Sequence, residues 1–340
     1  IIHAFDDPDH AILALPAARR YADIAPEAHH ARHMPSHIFL QLGMWPEAAA
    51  SNESAWESSD NWMKRKNLSL SVRDYHSLQW LQYAYLQQGR YAKAEQLVKL
   101  MKKVMAESTY DNKLRPDYYE NNYANMAAAF VVETERWELA NELFPPTNPS
   151  NPSNPSSSET VTSGSHAGHS APQTTNTTRY SNASRTLPPF IRALSAAIRG
   201  SKEVEAGLSG IRELEVAAVA ASMRKEHEQA IELMKKATAQ EEQTGPPLGP
   251  PALIKPTHEL FGEILLRAGK PAEAATQFGV ALLRQPNRAR SLLGAARAAA
   301  QSGDNATAAA NYSKLLEQWN QADEGLPELR EAREFLKRDK

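Results

Sequence analysis

The sequence of 340 residues contains no cysteine, which excludes disulfide bonds, thiol catalysis and cysteine-ligated metals but does not fix the compartment. An excess of charge of one sign is also lacking. The 38 basic and 40 acidic residues leave a formal net charge of −2, which argues against a general attraction to nucleic acids or membranes. No apolar run approaches the ~20 residues that are needed to span a bilayer.

Familiar catalytic motifs are missing as well. The chain has no glycine-rich phosphate loop, no nucleophile elbow and no zincin motif. The composition is otherwise ordinary, with 41% hydrophobic and 23% charged residues, and is sufficient for one large core or two small ones. The sequence therefore offers no direct evidence of a reaction, and its function has to be sought in its architecture.

A repeat is clearest in residues 256–287, which read PTHELFGEILLRAGKPAEAATQFGVALLRQPN. Small residues, one aromatic residue and a closing proline fall at the spacing of a tetratricopeptide repeat: Gly262, Gly269, Ala274, Phe278, Ala281 and Pro286. A copy follows at the period of that repeat, because Gly303 lies 303 − 269 = 34 residues after Gly269. Such hairpins cannot bury their apolar faces alone, so the pattern predicts an all-α fold, an α-α superhelix of stacked helical hairpins.

Similar marks occur three times in the first part of the chain, in the order turn residue, aromatic residue and alanine. They are Gly43, Trp45 and Ala48; Gly89, Tyr91 and Ala94; and Glu135, Trp137 and Ala140. The third set has Glu135 where the turn glycine is expected. In the last part of the chain, the apolar pattern predicts a short helix over residues 188–199, a long one over about 202–224, and a capping helix over 327–338.

Between these two parts lies a segment, residues 145–187, that is rich in proline, serine, asparagine and threonine. It has almost no apolar side chains to offset the entropy of ordering, which predicts a disordered linker. The predicted organisation is thus a first block of repeats in residues 1–144, the linker, and a second block in residues 188–340. No nucleic-acid partner and no membrane span are expected.

The inner groove of such a solenoid is lined by the first helix of each hairpin. Counting 13, 10 and 6 residues back from each turn residue predicts the inward positions in the first block: His30, His33, His37, His76, Gln79, Tyr83, Asn122, Asn125 and Ala129. On the groove side of the second block lie Glu259, Glu263 and Arg267. This architecture favours a scaffold or adaptor that binds a peptide or protein partner in its groove and needs no cofactor, with a solvated charged face as the alternative interpretation of the charged residues.

Histidines are concentrated in the first block, where seven of the 11 fall within the first 76 residues. His33 and His37, four residues apart, are able to share one divalent transition metal ion on a helical face, with His76, His3 and Asp6 as further ligands. However, Pro35 lies between His33 and His37. If it breaks the helix, residues four positions apart no longer lie on the same helical face. The alternatives are therefore histidines that pack or form hydrogen bonds where helices meet, or a metal-binding or metal-dependent catalytic site.

Several stretches resemble a family of bacterial tetratricopeptide-repeat proteins of largely uncharacterised function. They are IHAFDDPDHA at residues 2–11, ARRYADIAP at 18–26, HARHMPSHIFLQLGMW at 30–45, DYHSLQWLQYAYLQQGR at 74–90, KPTHELFGEILL at 255–266 and PNRARSLLGAARAA at 286–299. The resemblance implies a helical-repeat fold and no established activity. Family members usually carry a further N-terminal repeat region, often behind an export signal, so we expect this chain to be a fragment of a cytoplasmic or exported bacterial protein.

Overall fold

Pairs of helices make up the computed structural model, which describes residues 2–106, 117–146, 182–201, 207–250 and 254–338. Within these ranges the chain forms helices and no β-strand, as predicted. A short 3-10 helix, Ile2–Phe5, comes first. The α-helices of the first block are α1 Ala11–Ile24, α2 His29–His33, α3 Pro35–Gln41, α4 Trp45–Lys66, α5 Tyr75–Gln87, α6 Tyr91–Ala106, α7 Tyr118–Thr134 and α8 Ala140–Leu143.

The second block has eight α-helices in the described ranges. They are α9 Ala183–Ile198, α10 Ile211–Met223, α11 His227–Glu241, α12 Thr257–Arg267, α13 Pro271–Arg284, α14 Ala289–Gln301, α15 Asn305–Gln318 and α16 Pro327–Arg338. Each helix packs against its neighbours in chain order, so the hairpins stack into the predicted superhelix. None of the described helices combines the length and the apolar character that crossing a bilayer requires.

The repeat marks have the structural roles that their types suggest. Gly269 ends α12 in the left-handed region, with φ at +73°, and Pro271 begins α13. A Cβ atom on Gly262 would lie 2.7 Å from the ring of Phe278, so the absence of a side chain at this position allows α12 and α13 to approach closely. Glu135 adopts the same left-handed conformation (φ +54°) at the third turn of the first block, although it is not glycine.

Two predicted boundaries in the second block are wrong. The long helix expected from residue 202 begins at Ile211, because Gly207 and Gly210 both have positive φ angles and interrupt the helical path; residues 202–206 lie outside the described ranges. Helix α9 begins at Ala183 rather than at residue 188, because Ala183 and Leu187 are already buried in the core. Of the predicted linker, residues 147–181 lie outside the described residues.

The two blocks form one continuous stack. Helix α7 packs directly against α9, and Ser195 Oγ donates a hydrogen bond of 2.6 Å to the carbonyl oxygen of Trp137. Later helices of the second block also contact the first. The Nε1 atom of Trp45 donates to the carbonyl oxygen of Asn287, and that of Trp319 donates to the carbonyl oxygen of Gln87.

A buried ionic network joins the blocks at their centre. The Arg288 guanidinium lies 2.7 Å from Glu259 and 2.6 Å from Glu133, and it donates a hydrogen bond to the hydroxyl of Tyr83. Lys255 also pairs with Glu259, at Oε1. Because the second block packs on this part of the first block, the inner face of α5 and α7 is largely covered by the protein's own chain.

Candidate metal centre

Three histidines of the first block converge although a proline separates two of them. Pro35 is the first residue of α3, where a proline is tolerated because the missing N–H has no helical partner. Met34, which links α2 to α3, keeps helical angles (φ −50°, ψ −39°). The spacing between His33 and His37 is therefore helical in effect, and both imidazoles point to the same side as His76 on α5.

The potential ligand atoms of these three residues all lie within 4.8 Å of one another. The Nε2 atoms of His33 and His37 are only 3.2 Å apart. His33 is completely buried and His37 is 7% exposed, whereas His76 is exposed. The cluster thus extends from the interior to the surface, and one side of it is accessible.

The hydrogen bonds of Asn52 determine the tautomer of His33. The Asn52 amide nitrogen donates to the carbonyl oxygen of Ala48 at 2.8 Å, which leaves its Oδ1 atom facing Nδ1 of His33 at 2.7 Å. Oδ1 only accepts hydrogen bonds, so Nδ1 of His33 carries the proton. In the neutral ring, Nε2 of His33 is then an unprotonated nitrogen with a lone pair.

Asp6 has the same effect on His37. Its Oδ2 atom lies 2.6 Å from Nδ1 of His37, and its Oδ1 atom accepts a hydrogen bond of 3.1 Å from Nε2 of Gln41. The carboxylate therefore accepts the Nδ1 proton of His37 and leaves Nε2 of that ring as the unprotonated nitrogen. A carboxylate behind an imidazole is the usual arrangement for orienting a metal-ligating histidine and raising its basicity.

As a result, two lone pairs face each other across 3.2 Å, which is unfavourable unless a proton or a cation lies between them. Burial, reinforced by the neighbouring His76 and His37, holds the pKa of His33 well below its usual value, which keeps the His33 ring neutral. Two nitrogens that are each ~2.0–2.1 Å from one tetrahedral ion lie about 3.3 Å apart. The spacing of His33 and His37 matches that value.

Trp80 forms one wall of the cluster. The centroid of its ring lies 4.9 Å from that of His33, 4.5 Å from that of His37 and 5.6 Å from that of His76. The tryptophan is buried, so it excludes water from one side of the imidazoles. An apolar wall of this kind lowers the local dielectric constant and strengthens interactions with a cation.

The structure also brings His3 and Asp6 to the cluster. The rings of His3 and His37 are 4.7 Å apart, and His3, Asp6 and His37 form a second group with converging ligand atoms. Both carboxylate oxygens of Asp6 are engaged by His37 and Gln41, so Asp6 is arranged to orient His37 rather than to bind an ion directly. His3 is exposed, and burial of part of its ring together with the nearby His37 lowers its pKa.

His30, another predicted groove residue, has its ring centroid 6.3 Å from that of His33. The remaining residues of the predicted groove have other surroundings. Gln79, Tyr83 and Asn125 line one narrow cavity, into which Pro250 and Ile254 of the second block also project. Asn122 is buried, and its amide donates to the carbonyl oxygen of Tyr118.

The charged candidates of the second block differ in burial and in their partners. Glu259 is fully buried and bonded to Arg288, Lys255 and Ser291. Glu263 pairs with Lys255, and Arg267 is exposed. Contacts within the chain therefore occupy both glutamates.

Sequence reasoning did not identify Asn52, Gln41 or Trp80 as parts of the site. Asn52 and Gln41 had a detectable signal, since a polar residue at a buried helical position needs a partner. Neither protein-family models nor curated protein sequences give a match to this chain. The resemblance to tetratricopeptide-repeat proteins therefore stays a prediction.

Proposed function

We propose that the protein binds one divalent transition metal ion through Nε2 of His33, Nε2 of His37 and the imidazole of His76. One observation carries this proposal: Nε2 of His33 and Nε2 of His37 lie 3.2 Å apart, while the Nδ1 atom of each ring donates its proton to Asn52 or Asp6. Hydrogen bonding alone gives no stable arrangement of this pair of neutral rings, whereas a bound cation does.

The ligand set indicates the class of metal. Neutral imidazoles suit zinc, copper, nickel and iron, and no thiolate or ligating carboxylate is required. Three protein ligands with one accessible side are typical of catalytic rather than closed structural zinc sites. When bound in such a site, the ion acts as a Lewis acid toward water or a substrate group. We therefore propose metal-dependent chemistry in preference to a purely structural role.

The test is metal content after removal of bound ions and reconstitution with zinc, copper, nickel, cobalt, iron or manganese. We expect one equivalent of metal in the wild type, at least tenfold weaker binding in His76→Ala, and none in the double variant His33→Ala/His37→Ala. His76→Ala alters an exposed side chain, so loss of binding there is not a folding defect. His10→Ala, which removes an exposed imidazole outside the cluster, serves as the control. If the wild type binds none of these metals at one equivalent, the proposal is refuted.

We also propose, as a second function, that the solenoid binds a peptide or protein, at a cleft outside the covered inner face. Buried Phe261 and Leu265 form the floor of this cleft, and polar or charged residues line its rim. The rim consists of Lys235, Thr238, Glu242, Glu273, Thr276 and Gln277. An apolar centre with a polar rim is typical of surfaces that bind a protein partner.

Selection from a displayed peptide library tests this second proposal. Thr276→Arg places a long side chain in the cleft and should abolish binding of any peptide selected there. Ala272→Arg lies on the same helix outside the cleft and should leave it intact. Failure to select any peptide, or equal binding by both variants, would count against the cleft as a binding surface.

A further inference from the structure

A loop of the second block lies against the proposed metal centre, although all the candidate ligands belong to the first block. This loop, residues 245–250, follows α11. The carbonyl oxygen of Pro247 accepts a hydrogen bond of 2.8 Å from Nε2 of Gln41. The two residues are 206 positions apart in the chain, so the contact exists only because the second block is docked on the first.

Gln41 connects this loop to the histidines. Its amide nitrogen has two hydrogens, and besides Pro247 it donates to Oδ1 of Asp6 at 3.1 Å. The other carboxylate oxygen of Asp6 accepts from Nδ1 of His37 at 2.6 Å. A continuous chain of hydrogen bonds therefore runs from the loop backbone through Gln41 and Asp6 to a ligating imidazole.

Trp80 provides a second connection. A Cβ atom on Gly249 would lie 2.7 Å from Cζ2 of Trp80, so the loop backbone packs directly on the indole ring. The same ring lies against His33, His37 and His76. Gly249 has φ at +149°, a conformation that residues with side chains rarely adopt. The glycine thus permits a contact that no other residue allows in this geometry.

We propose that metal binding by the histidine cluster and docking of loop 245–250 on the first block are coupled, so that each strengthens the other. This inference rests on the proposed metal function. Docking holds Gln41, and through it the Asp6 carboxylate, in the orientation that makes Nε2 of His37 a good ligand. It also keeps Trp80 against the imidazoles. Because binding linkage is reciprocal, a metal ion that prefers the docked arrangement must stabilise docking by the same factor.

The first arm of the test measures zinc and cobalt affinity of the full chain by chelator competition. Gly249→Ala disturbs the loop without touching a ligand, and Gln41→Leu breaks the hydrogen-bond chain at nearly constant volume. We expect both to weaken binding by about tenfold or more, in line with the usual effect of losing outer-shell partners. Gly279→Ala is the matched control, because a Cβ atom there meets nothing within 4 Å, and it should bind as the wild type does.

The second arm uses the absence of native cysteine. A Leu248→Cys variant carries a single thiol at an exposed position of the loop, and a fluorescent label on it reports loop mobility. We expect the anisotropy of the label to rise with zinc and to saturate at one equivalent. In a Leu248→Cys/His76→Ala double variant, the rise should require a higher zinc concentration.

The outcomes separate the two proposals. A wild type that binds no metal refutes the metal centre itself. A wild type that binds, with Gly249→Ala equal to it and no change in anisotropy, leaves the metal centre standing and overturns the coupling. If Gln41→Leu alone weakens binding, then Gln41 only positions Asp6 and the loop has no part, which also overturns it.

Discussion

Oδ1 of Asn52 lies 2.7 Å from Nδ1 of His33, and this contact determines which nitrogen of the buried ring is available to a ligand. Asn52→Leu removes the acceptor at similar volume. We expect metal affinity to fall by about 10–100-fold, as is usual when the outer partner of a ligating histidine is lost. Competition with a chromophoric chelator measures the change.

Asn52→Asp is the conservative control for this experiment, because a carboxylate still accepts the Nδ1 proton. We expect it to bind metal more tightly than Asn52→Leu does. Far-UV circular dichroism before and after metal removal shows whether both variants are folded. Equal affinities of Asn52→Leu and the wild type would mean that His33 is not oriented through Asn52.

Asp6 and Asp7 are neighbours in the sequence with different surroundings. Asp6 is buried between His37 and Gln41, whereas Asp7 pairs with the exposed ring of His10. An Asp6→Asn variant loses the negative charge behind His37, and its amide nitrogen would face either the amide of Gln41 or Nδ1 of His37, both donors. We expect at least tenfold weaker metal binding for Asp6→Asn and no change for Asp7→Asn. The same loss in both variants would point to a general charge effect instead.

The fold was largely predictable from local pattern, because the residues at turns and helix crossings act over short distances. Gly269 and Pro271 lie where the repeat spacing places them, and Gly262, another of the repeat marks, leaves room for Phe278. Counting back from turn residues also placed His33, His37 and His76 on one face, and these are the imidazoles that converge.

The closure of the stack was not predictable in the same way. Arg288 and Tyr83 are 205 positions apart, and no local sequence pattern predicts the hydrogen bond between them. For this reason, the expected open groove over α5 and α7 is covered in the structure. From the sequence, Glu259 was predicted to bind a peptide or to be solvated. In the structure it lies at the centre of a buried ion network.

Arg288 should be essential for stability because it compensates two buried carboxylates. Replacing it by methionine leaves Glu133 and Glu259 without their shared partner in a dry interior. We expect a loss of ~3–5 kcal/mol in the free energy of unfolding, the range for breaking a buried ion pair on one side. Urea unfolding followed by circular dichroism measures it.

Arg297→Met is the matched comparison for this prediction. Its pair with Glu331 is partly exposed, with side-chain exposures of 40% and 33%, so we expect a loss below about 1 kcal/mol. If Arg288→Met were no more destabilised than Arg297→Met, the central network would contribute little to the docking of the two blocks.

The buried carboxyl group of Glu215 should make the stability of the fold depend on pH. The residue is buried beside Thr257, and its surroundings also contain Glu241, Arg212 and Lys255. Burial, to which the charge of Glu241 adds, raises the pKa of Glu215 to about 8. Since the pKa is near 4.3 in the unfolded chain, the folded state binds more protons than the unfolded state between these two values. The contribution of Glu215 to stability must therefore fall as the pH rises from about 5 to 8.

Glu215→Gln removes this pH-dependent contribution to stability, because the glutamine amide carries no charge at any pH. Its amide oxygen can still accept a hydrogen bond from the Thr257 hydroxyl. We expect the variant to equal or fall slightly below the wild type at pH 5 and to exceed it by a few kcal/mol at pH 9, at ~1.4 kcal/mol per unit of pKa shift. Glu228→Gln, at an exposed position on α11, controls for loss of a surface charge and should run parallel to the wild type. Chemical unfolding at each pH from 5 to 9 gives the curves. Parallel curves for Glu215→Gln and the wild type would show that Glu215 ionises as readily in the folded protein as in the unfolded chain, which would contradict the prediction.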